Sequence, residues 1–126
     1  MATSPTFVEH ALDLLSLVED VEVRRMFGGH GLYHGGVMFG LLDDDELFLK
    51  TDEETRPRFV EAGCERWVYA AMQETSYFRP PDDAHEDPEA MLPWARLAVD
   101  AALRRQAAKE AEADARAARR AARESG

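Results

Sequence analysis

Gly28-Gly29-His30-Gly31 is the segment of this 126-residue chain that comes nearest to a ligand loop. A phosphate cradle needs glycine amides that feed a helix N-terminus, usually with Lys and Ser or Thr following. Here the glycines run into Leu32-Tyr33 with no such pair behind them, so they read as a structural bulge in a strand. His30 and His34 are four apart, a metal-pair spacing on a helix. In a strand they lie about 13 Å apart at ~3.3 Å per residue, too far to share an ion. Asp43-Asp44-Asp45-Glu46 lacks the alternating ligands and central glycine of a calcium loop and reads as a solvated turn. Cys64 is the one cysteine, which excludes an internal disulfide or a multi-cysteine zinc site. Neither it nor Ser4, Ser16 or Ser76 sits in a recognisable nucleophile setting, so Cys64 reads as a partly buried structural thiol. No catalytic, metal or cofactor-binding residue is assigned.

The remaining reactive feature is Arg24-Arg25. Adjacent strand residues face opposite ways, so one arginine is expected to face solvent and the other the helical layer or an edge. The inward one is expected to pair with a carboxylate, and an exposed one to recognise an acidic partner. Tyr33, Trp67, Tyr69, Tyr77 and Phe78 read as core or half-buried sheet residues, of which an exposed subset makes a protein-binding patch. The candidate interaction or structural motif is therefore Arg24, Arg25, Met26, Phe27, Gly28, Gly29, Gly31 and Tyr33.

Three helices and a sheet must position these residues. Thr6-x-x-Glu9 fits a capping box, and Phe7, Val8, Ala11, Leu12, Leu15 and Val18 recur at helical spacing to a stop near Glu19-Asp20. The period then approaches two. A strand over Val21–Phe27 is broken or bulged at Gly28-Gly29 and resumes through Tyr33. His34-Gly35-Gly36 turns the chain into Val37–Leu42, and the acidic turn leads to Leu47–Lys50. Asp52–Thr55 opens a short helix closed by Gly63. Two strands follow around Arg66–Ala71 and Thr75–Arg79, before the Pro80-Pro81 break. Asp87-Pro88 starts a last helix, in which Pro93 should kink the axis or end a first segment. Its apolar face is Leu92, Ala95, Val99 and Ala102, with Met91, Trp94, Ala98 and Leu103 beside it. The order predicts an α+β fold, a two-layer antiparallel sheet of about five strands with helices on one face. Residues 1–104 form the domain, and residues 105–126 form a charged, Ala-rich helical or frayed tail.

Charge is placed unevenly. The net value is −10. Residues 1–102 carry 8 Lys and Arg against 21 Asp and Glu, a net −13, and residues 103–126 carry 7 against 4, a net +3. An acidic body is repelled by phosphate backbones, so direct nucleic-acid binding is not expected of it. No apolar run approaches the ~18–20 residues of a membrane helix, and no secretory start is evident. The expectation is a cytoplasmic protein without a membrane partner.

The separated blocks Arg24-Arg25-Met26-Phe27-Gly28-Gly29-x-Gly31-Leu32-Tyr33, Phe39, Leu47-x-Leu49-Lys50-x-Asp52, Arg56-x-x-Phe59-x-x-x-Gly63, Tyr77 before Pro80-Pro81, and Asp87-Pro88 with Trp94 and Ala98 occur in this order. Together they resemble the N-terminal domain of the TfoX/Sxy competence regulators over about residues 8–102. The resemblance implies a secretion-chaperone-like two-layer α+β fold and no established catalytic residues. It also implies a role in competence regulation, alongside the transcription machinery as protein partner. The expectation is a non-enzymatic regulatory or adaptor domain acting by protein–protein contact. Two alternatives stand beside it: a small-ligand or enzymatic cleft between sheet and helices using Arg25, His30 and Tyr33, and weak DNA contact through the basic tail.

Overall fold

A computed structural model of the chain describes residues 3–26, 28–69 and 73–125. Helix α1 spans Pro5–Leu14, strand β1 Val21–Met26, β2 Gly29–His34, β3 Val37–Asp43 and β4 Glu46–Lys50. Helix α2 spans Arg56–Glu61, β5 Arg66–Tyr69, β6 Gln73–Phe78 and α3 Pro88–Ser125, with a 3-10 turn at Asp82–His85 before α3. The strands form one open antiparallel sheet in the order β1-β2-β3-β4-β6-β5. The chain leaves β4 through α2, lays down β5 as the far edge, and returns to insert β6 beside β4.

This is the expected α+β architecture, with a strand gained where a bulge was expected. Gly28 takes φ +74°, a left-handed conformation that costs glycine little, and the chain reverses there. The segments on either side pair as a hairpin, Met26 opposite Gly29 and Val21 opposite His34. The register shift in this part of the sheet lies instead at Leu32/Tyr33. Phe27, and Ala70-Ala71 of the expected fifth strand, lie outside the described residues.

α1 departs from expectation at both ends and α3 at Pro93. α1 is capped by Ser4, whose Oγ accepts from the Phe7 amide at 3.2 Å with Pro5 behind it, so Thr6 is inside the helix. The helix stops at Leu14 rather than near Glu19. Turns over residues 15–20 end at Asp20, with φ +52°, and aim the chain into β1. In α3, Pro93 neither ends nor divides the helix, which runs unbroken for 38 residues. Proline forfeits one bond, to the Glu89 carbonyl, and both residues are exposed, so water can take the freed acceptor.

The helices cover one face of the sheet. Between the layers lie Leu32, Phe39, Leu42, Leu47, Leu49 and Phe78 from the strands, with Ala11, Leu14 and Leu15 from α1 and Phe59 from α2. α3 contributes Met91 together with Ala95, Ala98 and Ala102, the alanines being small enough to let its backbone approach the sheet. Leu103, expected beside this stripe, is 44% exposed. Phe59 meets Phe78 and, edge-on at 5.0 Å, Trp94.

Beyond Ala102 no described side chain of α3 is buried. The Arg104 guanidinium donates to both Asp52 oxygens, at 2.6 and 3.1 Å, and lies 2.9 Å from Glu54. Asp52 also accepts from the Glu54 and Thr55 amides at the mouth of α2. Arg104 beside it, helped by those amides, pulls its carboxyl down to about 2. From residue 107 to 125 every described side chain is exposed.

Candidate functional site

The helices leave the other face of the sheet bare, and strand alternation fixes what it carries. β1 presents Glu22, Arg24 and Met26. Their partners Tyr33, Gly31 and Gly29 stand beside them on β2. Leu41 on β3 is opposite Gly31 and Phe48, and Lys50 on β4 is opposite Tyr77. Trp67 sits at the irregularity between Arg66 and Val68 on β5. Its ring lies 6.0 Å from Phe48, 5.4 Å from Tyr69 and 6.3 Å, edge-on, from Tyr77. The result is an aromatic surface with Leu41 and Phe48 buried in its floor.

Glycine shapes that floor. A Cβ on Gly31 would lie 2.9 Å from both Met26 Sδ and Tyr33 Cε1, so the absence of a side chain lets these two close over the strand. Arg24 then lies 4.5 Å above the Tyr33 ring and holds Glu22 at 3.1 Å. Lys50 Nζ lies 5.1 Å from the Tyr77 ring centre. Burial pushes the Tyr77 hydroxyl up, and burial, then the nearby cations Arg105 and Lys109, pull Lys50 down.

A cavity of about 480 Å³ opens on this face between the ends of β1–β3 and the β5–β6 hairpin, lined by Met26, His30, Leu41, Asp43, Trp67, Tyr69 and Thr75 among others. Asp43 Oδ2 accepts from the Trp67 indole N–H at 3.1 Å. Asp43 is thus the last residue of β3, and the turn proper is Asp44-Asp45, both with positive φ. His30 Nδ1 is buried without a hydrogen-bond partner, a desolvation cost. No described group of three or more His, Cys, Asp or Glu is placed to hold a metal. No described helix is long and apolar enough to cross a membrane.

The motif residues do not all converge. Arg24, Met26, Gly29, Gly31 and Tyr33 share the bare face. Arg25 shares its side of β1 with Val21 and Val23 but lies at the strand's end, exposed, with no ion pair among the described residues. The arginine with an acidic partner is therefore Arg24, on the side away from the helices. Of Arg25, His30 and Tyr33, only His30 lines the cavity, and among the described residues the buried core lies between sheet and helices. Sequence reasoning assigned no role at this site to Leu41, Asp43 and Thr75. The signal available was the period-two aromatic spacing Trp67-x-Tyr69, with Tyr77 returning on the neighbouring strand.

Residues 13–102 match the family described as TfoX N-terminal domain. A curated relative, the DNA transformation protein TfoX1 of Aliivibrio fischeri (strain ATCC 700601 / ES114), is 31% identical over 80 residues. The match takes in 61% of this chain and 38% of that protein, so the chain spans well under half of the relative's length. The family match crosses every strand of the sheet and the packed part of α3: the chain belongs to the TfoX N-terminal domain family.

Proposed function

We propose that the chain is a non-enzymatic regulatory domain in the control of DNA transformation, acting on a protein of the transcription machinery through the helix-free face of its sheet. The observation that supports this reading most is that face. Rings cluster over a buried Leu41–Phe48 floor, with Met26 and Tyr69 left 36% and 46% exposed at the rim of the cavity. An apolar surface of this kind beside polar strands suits protein contact. The relative's name supplies the process. Burial pushes the Cys64 thiol up, which keeps it protonated at neutral pH and poorly nucleophilic. A cytoplasmic location follows from the same reading.

The test is genetic. Deleting the coding sequence from the source organism should lower the frequency of transformation by marked DNA. The intact chain should restore it. A Met26→Ser/Tyr69→Ser double variant, altered only at exposed positions, should fold normally by circular dichroism yet fail to restore it. Unchanged transformation after deletion, or full restoration by the double variant, would refute the reading.

A further inference from the structure

We propose that the cavity on the helix-free face is a receptor for a cationic side chain, an arginine or lysine borne by a basic segment of the partner protein. That side chain seats against the Trp67 and Tyr69 rings with its charge on Asp43. The proposal rests on the protein-contact reading above and names the chemistry of the partner.

The face already displays the interaction twice. Arg24 covers the Tyr33 ring and Lys50 covers the Tyr77 ring, each a cation held by the negative face of an aromatic system. Trp67 and Tyr69 have no such cation from this chain among the described residues, although indole is the strongest ring for the purpose. A carboxylate stands beside the vacant ring. The Trp67 indole holds Asp43 by Oδ2, which leaves Oδ1 with no hydrogen-bond partner among the described residues. Its position is thus fixed before any ligand arrives, which lowers the ordering cost of binding.

Charge selects the same ligand. Among the described residues no lysine or arginine lines the cavity. The other carboxylate of the lining residues, on Glu74, is engaged by Arg66 at 2.7 Å. Asp44, Asp45 and Glu46 follow Asp43 directly, on a body whose residues 1–102 carry net −13. That field steers a basic segment toward this end of the sheet and repels an acidic one. The cavity's roughly 480 Å³ and its Met26 and Leu41 walls also give room for an apolar neighbour of the cation.

The test uses the full chain, ¹⁵N-labelled, titrated with a blocked leucine–arginine–leucine tripeptide and with its leucine–glutamine–leucine counterpart. The arginine peptide should shift the Trp67 indole and Thr75 amide resonances, and the glutamine peptide should bind at least about tenfold more weakly, as expected for losing a charged hydrogen bond. Asp43→Asn keeps an acceptor for the indole and should weaken the arginine peptide by a similar factor without moving the unfolding midpoint. Equal binding of the two peptides, indifference to Asp43→Asn, or shifts confined to other surfaces would overturn the receptor. If Asp43→Asn loses the peptide, and both it and the Met26→Ser/Tyr69→Ser variant restore transformation fully, the receptor stands and the functional reading falls. If neither peptide binds while the Met26→Ser/Tyr69→Ser variant fails to restore transformation, the receptor falls and the functional reading stands.

Discussion

Replacing Arg104 by alanine should destabilise the domain by about 1 kcal/mol at neutral pH, and the loss should vanish in acid. Arg104 spans 52 residues to reach Asp52 and contacts both carboxylate oxygens. The Asp52 carboxyl falls from 3.8 to about 2. At about 1.4 kcal/mol per unit of pKa this sets a ceiling of roughly 2–3 kcal/mol. The Arg104 side chain is 43% exposed and Asp52 26%, so solvent screening removes much of that. The Glu54 and Thr55 amides stay in the variant and keep a further part. About half the ceiling remains for the ion pair. Because the folded pKa is depressed, the stabilisation is complete above the unfolded value of about 4 and disappears as pH falls through about 2. Urea unfolding of parent and variant at pH 7, 4 and 2 reads the gap directly. It should be widest at pH 7, still near its full size at pH 4 and close to zero at pH 2. Half-molar sodium chloride at pH 7 should narrow it. A gap of equal size at pH 7 and pH 2 would refute the electrostatic argument and leave only lost packing of the arginine stem.

Two substitution pairs test the backbone account. Gly29→Ala drives a methyl into the Leu42 carbonyl oxygen, whereas Gly31→Ala meets the side chains of Met26 and Tyr33. The first should cost more than the second, which should fall within the roughly 1–3 kcal/mol of overpacking; chemical denaturation of both variants checks the order. Ser4→Ala removes the cap and should cost about 1 kcal/mol, whereas Thr6→Ala, inside an exposed helical turn, should change the thermal midpoint little.

The layered fold was legible because burial leaves a periodic trace. Val21, Val23, Leu32, Phe39, Leu47 and Leu49 alternate with polar or open-face residues, and the last helix repeats small apolar residues at three and four. What sequence could not separate was bulge from turn at Gly28-Gly29. Both need a glycine, and only the pairing of Met26 with Gly29 decides between them. Pro93 did not end the helix, because its cost depends on whether solvent reaches the Glu89 carbonyl. The bare face was harder still. Alternation groups Trp67 with Tyr69, but their meeting with Leu41 and Asp43 depends on β6 inserting between β4 and β5, a long-range pairing that no local pattern encodes. Arg24 was singled out for its charge, and its placement over Tyr33 follows from Gly31 on the paired strand.

The unbroken α3 has a mechanical consequence. From Arg104 to Ser125 it extends about 32 Å at ~1.5 Å per residue with no buried described side chain beyond Ala102. Beyond the contact with Asp52 and Glu54 it projects as an arm without a buried described anchor. A pivot of about 5° there would swing the far tip by roughly 3 Å over that length, so a small change at one surface carboxylate is magnified at a distant point in space.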